Sequence, residues 1–94
     1  MTEPSATARE IERILRESFD PVHLEIRDDS ALHAGHPGAT SGGGHYHVVI
    51  VSKRFEGLSL LQQHSLVNDA VRELFGDRIH ALGLRTIAAS KWQD

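Results

Sequence analysis

At 94 residues the chain has room for one domain with a modest core, and no apolar run is long enough to cross a bilayer. With no cysteine it has no thiol nucleophile, and by itself it can hold neither an iron–sulfur cluster on thiolates nor a thiolate zinc site. A net charge of -3 disfavours broad, non-specific binding to nucleic acid, which depends on neutralising phosphates, while leaving room for a local basic patch.

The spacing predicts a single domain over 1–94, with residues 1–6 frayed. The opening MTEPSATARE lacks the basic start and apolar stretch of a secretory signal. A cytoplasmic setting is therefore the expectation, with an organelle also compatible. From Thr7, Ala8, Ile11, Ile14, Leu15 and Phe19 share one helical face, and Arg9, Glu10, Glu12, Arg13, Arg16 and Glu17 cover the other. TARE reads as a capping box, and Pro21 stops the helix. In VHLEIRD the alternation places Val22, Leu24 and Ile26 inward, as in a half-buried strand. A glycine-rich loop spans Asp28–Gly44, long for a compact domain and of the kind that carries function. HYHVVIVS is the next strand, and its unbroken Val48–Val51 run suits a central position.

Gly57 turns the corner, and SLLQ at Ser59–Gln62 is a second capping box. The helix it opens is expected to reach Phe75 and to bury Leu60, Leu61, Val67, Ala70, Val71, Leu74 and Phe75, with Gly76 as its stop. IHALGLRTI closes the sheet, and a short tail carries Trp92. The order α-β-β-α-β implies an α+β fold with helices on one face of a three-stranded mixed sheet. The first two strands form a hairpin around the loop, and the second helix returns the chain to that end. His80, at the start of the last strand, should therefore approach the loop, with that strand parallel to the second.

Four of the seven histidines, His33, His36, His45 and His47, lie in the loop or at the strand entry that follows it. Neutral imidazole suits zinc, copper and iron. Neither HAGH nor HYH is by itself a strong metal signature, and a solvated histidine pair is the plainer reading of each. His64 falls near the apolar stripe of its helix and His23 alternates outward. Ser30, Ser41 and the acids Asp28 and Asp29 lie near histidines, but no nucleophile elbow accompanies them. SGGGH leads into a strand, not a helix N-terminus, so the usual phosphate-binding geometry is missing. Lys53, Arg54, Arg72 and Arg78 are the candidate contacts to a nucleic acid backbone, with few aromatic residues to stack bases.

LEIRDDSALHAGH, HYHVVIVSKRFEGLSLLQQHSLV and IHALGLRT, in that order and spacing and with Trp92 close behind, resemble the BolA family from about Ile11 to Trp92. The resemblance implies a class II KH-like α-β-β-α-β fold, in agreement with the order above. It implies no enzyme activity but a heterodimer with a monothiol glutaredoxin, joined by a shared [2Fe–2S] cluster in iron–sulfur trafficking or iron sensing. Glutaredoxin would supply a cysteine and a bound glutathione thiolate. This chain would supply His80 of IHAL and a loop histidine, His33 by alignment, with His36 and His45 as alternatives. Two imidazoles on one iron, as in Rieske centres, make the ligand set less anionic and raise the reduction potential. Imidazole ligands also tie the cluster to pH, because protonation competes with the metal.

The family resemblance leaves a second reading, a DNA-binding transcriptional regulator, and allows a weak homodimer. This sequence departs from the family where an arginine often precedes the helix histidine, since Gln63 stands beside His64. That removes a positive charge from the face assigned to nucleic acid. The GxxG loop that clamps nucleotide backbones in KH domains is also missing.

Overall fold

The computed structural model describes residues 6–29 and 44–92. Helix α1 spans Ala6–Phe19, strand β1 His23–Asp28, strand β2 Gly44–Ser52, helix α2 Leu60–Ala70 and strand β3 Ile79–Ala88. Single 3-10 turns follow β2 at Lys53–Phe55, α2 at Arg72–Leu74 and β3 at Ala89–Lys91. The sheet order is β1-β2-β3, with β1 antiparallel and β3 parallel to β2. The α+β fold, with a three-stranded mixed sheet, is the one expected from the order of elements. Val48–Val51 lies on the central strand, as its unbroken apolar run implied.

Pairing His23 with Val51 and Ile26 with Val48 sorts the side chains by face. Leu24 and Ile26 of β1, Tyr46, Val48 and Ile50 of β2, and Leu82, Leu84 and Ala88 of β3 join α1 and α2 in one apolar cluster. The helix α1 contributes Ala8, Ile11, Leu15 and Phe19, the four-residue stripe that a 3.6-residue period dictates. The ring of Phe55, fully buried, has its centroid 5.4 Å from that of Phe19. Buried Ser52 ties the layers together by donating to the Phe19 carbonyl at 2.7 Å and accepting from the Arg54 amide.

The Ser59 capping box is present, with the Gln62 amide bonded to Ser59 Oγ and the Ser59 amide to Gln62 Oε1. Gly57 and Gly76 both adopt positive φ, at 75° and 98°, where a side chain would be strained. Other expectations need correction. The helix α1 begins at Ala6, and Thr7 Oγ1 accepts from Arg78, not from its own helix. Val22 precedes β1 and is 55% exposed. The helix α2 ends at Ala70, a 3-10 turn replaces its last turn, and Phe75 is partly exposed.

Leu60 and Leu61, expected inside, are 61% and 77% exposed. Gln63 takes the buried place instead. Its side-chain nitrogen donates to the Leu58 carbonyl at 3.0 Å, and its oxygen accepts from Thr86 Oγ1 at 2.6 Å. An amide so satisfied can be buried at little cost. Replacing Phe55 by alanine should therefore destabilise the domain by about 3–5 kcal/mol. The change Leu61→Ala should stay within about 0.5 kcal/mol of neutral in the same urea titration, as exposed sites do.

Candidate functional site

Among the described residues, one face of the sheet carries no helix. His23, Glu25 and Arg27 of β1, His45, His47 and Val49 of β2, and Ala81, Gly83 and Arg85 of β3 share it by alternation. At the end where β2 begins, the register breaks: Gly44 pairs with Ile79, but His45 pairs with Ala81. One step on β2 thus faces two on β3, and the extra residue is His80. Bulges of this kind re-aim a side chain. Ile79 stays fully buried while His80 is exposed, and its ring stacks on that of His45 with 5.2 Å between centroids and 22° between planes. Main-chain bonds hold the corner, from the Gly44 amide to the Arg78 carbonyl and from the Gly76 amide to the Ile79 carbonyl.

His45 and His80 are therefore brought together, at the end of the sheet where element order placed them. His33 and His36, like Ser30 and Ser41, lie outside the described residues. Asp29 accepts two bonds from Arg27, which push the guanidinium pKa up and make this acid a partner in a surface pair. His47 lies against Gly83, where a Cβ would stand 2.8 Å from its ring. That contact was not read from the sequence, although a glycine inside a strand run, as in ALGLR, is the signal of a close approach.

At the opposite end, His23 hydrogen-bonds Glu25 at 2.6 Å and stacks on Trp92 with centroids 4.7 Å apart. Glu56 accepts from the amide and hydroxyl of Ser90, both at 2.8 Å, and these bonds lower its pKa. The four candidate cations divide between the ends. Lys53 and Arg54 follow β2, whereas Arg72 and Arg78 precede β3, the length of the sheet away, about 27 Å for nine strand residues. Arg54 donates to the Ser18 carbonyl at 2.6 Å and stands over the Phe19 ring, and Arg78 donates to Thr7. They do not make one patch. His64 is half-buried in α2, and its Nε2 is buried with no hydrogen-bond partner among the described residues.

The family described as BolA-like protein matches residues 15–91. The chain belongs to the BolA family. Human BolA-like protein 1 is 41% identical over 80 residues, covering 85% of this chain and 56% of the human protein. The chain thus spans little more than half the length of that relative. The Escherichia coli K12 protein called DNA-binding transcriptional regulator BolA is 37% identical over 83 residues, covering 88% of this chain and 76% of that one. Among solved structures, the BolA domain of SufE1 from Arabidopsis thaliana has a TM-score of 0.82 at 31% identity and covers 96% of this chain and 100% of that domain. BolA1 from the same plant gives 0.79 at 32% identity, with 96% and 100% covered.

Within this BolA fold, a methyl group at position 83 must move His47 and nothing deeper. The variant Gly83→Ala should therefore keep the fold while shifting the His47 ring resonances in a proton–carbon correlation spectrum. Those of His45 and His80 should stay in place.

Proposed function

We propose that this BolA-like chain is a non-enzymatic adaptor that binds a monothiol glutaredoxin and co-ligates a bridging [2Fe–2S] cluster, in iron–sulfur trafficking or iron sensing in a reducing compartment. The observation that carries this reading is the His45–His80 pair. Two imidazoles on one tetrahedral metal, with bonds of about 2.0–2.1 Å, hold their ring centroids about 5 Å apart. Here the separation is 5.2 Å. A chain with no cysteine offers such a cluster nitrogen only, so the thiolates must come from glutaredoxin and its glutathione. Bound there, the cluster would supply one-electron chemistry or be handed on as cargo.

His80 is the assigned ligand. For the second position, His45 has the ring contact in its favour, and His33 has the family alignment; His36 is the remaining alternative. The bulge serves this role physically. Ile79 anchors the strand in the core, and the next residue is left exposed at the rim, so His80 can meet a partner without unfolding β3.

A mixture of the chain with monothiol glutaredoxin, glutathione and an iron–sulfur donor should give a visible circular dichroism spectrum distinct from that of the glutaredoxin homodimer. The change His80→Ala should abolish it. Comparing His45→Ala with His33→Ala then assigns the second ligand. A spectrum unchanged in both His45→Ala/His80→Ala and His33→Ala/His80→Ala would rule out this site.

The name of the Escherichia coli relative favours a second reading, binding to DNA. The split of Lys53 and Arg54 from Arg72 and Arg78 limits any one contact to about two phosphates. Affinity for duplex DNA should then fall with a shallow salt slope of about -0.9 per phosphate neutralised. An anisotropy titration at several salt concentrations measures that slope, and a slope of zero removes the reading.

A further inference from the structure

At the far end of the molecule, a groove of about 670 Å³ runs between the start of α2 and strand β3. Its floor and walls include Leu60, His64, Leu84, Arg85, Ile87 and Lys91. Residues 84 to 88 all line it, consecutive positions whose side chains alternate between faces. Only the backbone edge of a strand presents itself in that way. The strand β3 is the outermost of the sheet, pairing with β2 on one side. An outer edge of this kind is a template for a further strand.

We propose that this groove docks an extended acidic peptide segment of a partner protein, which adds along the β3 edge as a fourth strand. Main-chain pairing at such an edge supplies affinity, and pockets for alternate side chains supply selectivity. Leu60, 61% exposed, stands with Leu84 and Ile87 to receive the apolar side chains of the segment. Arg85 and Lys91 provide the complementary charge. The acid on this wall, Glu56, is held by the amide and hydroxyl of Ser90 and keeps its negative charge, so Arg85 and Lys91 together outweigh it. His64, half-buried, also lines the groove and reports on its occupancy.

A single nucleic acid strand suits the groove less well. Stacking on exposed aromatic rings holds such strands. Among the described residues, the only Phe, Tyr or Trp lining this groove is Phe55, which is fully buried. This groove lies away from the His45–His80 pair, so its test does not depend on the cluster.

The test uses the full chain and a phage-displayed library of random peptides, with enriched peptides titrated by fluorescence anisotropy and by amide spectra of the labelled chain. The expected winners alternate acidic and apolar residues and shift the amides of Leu84 to Ala88 together with the His64 ring. The double change Arg85→Glu/Lys91→Glu, on exposed side chains, should weaken them about tenfold, or ~1.4 kcal/mol. The change Arg72→Glu, away from the groove, should not. The proposal is overturned if no peptide is enriched above the Arg85→Glu/Lys91→Glu chain, or if the enriched peptides shift other amides. It is also overturned if an oligothymidine shifts the Leu84–Ala88 amides and no peptide does.

Discussion

The parallel pairing of β2 with β3 is the constraint on which the rest of this structure depends. A parallel pair must be joined by a crossover, and α2 with its flanking turns is that crossover. Returning the chain to the start of β2 brings His80 beside His45. The pairing then has to accommodate two neighbours at once, because Ile79 is buried in the core and His80 is exposed at the rim. Strict alternation from Leu82 and Leu84 would turn His80 toward the helices and Ile79 out to water. One extra residue in β3 removes the conflict. Burial of an isoleucine side chain, worth about 1.5–3 kcal/mol, offsets the broken ladder step.

Much of the fold was legible because local chemistry and long-range pattern agree. The α1 stripe, the Ser59 box and the glycines at 57 and 76 each have a single physical solution. The departures cluster at the start of α2. Leu60 sits seven residues before buried Val67 and should share its face by period alone. Its turn, however, stands at the mouth of the groove beside Leu84, where no chain segment covers it among the described residues. Gln63 is inside because three groups on other elements, the Phe55 and Leu58 carbonyls and the Thr86 hydroxyl, happen to meet there. Hydropathy treats glutamine as a surface residue, and nothing local to SLLQQH reveals those partners.

The candidate site divides in the same way. Element order was enough to bring a late histidine to the loop end, since it needs only the rise per residue of helix and strand. It was not enough to foresee that His80 stacks on His45, because that contact turns on the extra residue in β3, and register shifts leave no trace in composition. The candidate cations show the opposite failure. Lys53, Arg54, Arg72 and Arg78 are near one another in a list of charges and a sheet length apart in space. Two of them, Arg54 and Arg78, are occupied in tying α1 to the rest of the fold.

The arrangement leaves the two ends of one sheet with different chemistry. Imidazoles gather at the start of β2, and the basic groove, with a strand edge unpaired among the described residues, lies toward the end of β3. Both are built on β3, yet a shared strand is not a coupling mechanism. Communication would need an element with two discrete arrangements that each ligand biases differently. The fully buried Val48, Ile50 and Val51 between the ends give β2 no such freedom. The ends should therefore act additively, with a partner engaging either or both, and simultaneous engagement would raise avidity through effective concentration without any change in the site itself.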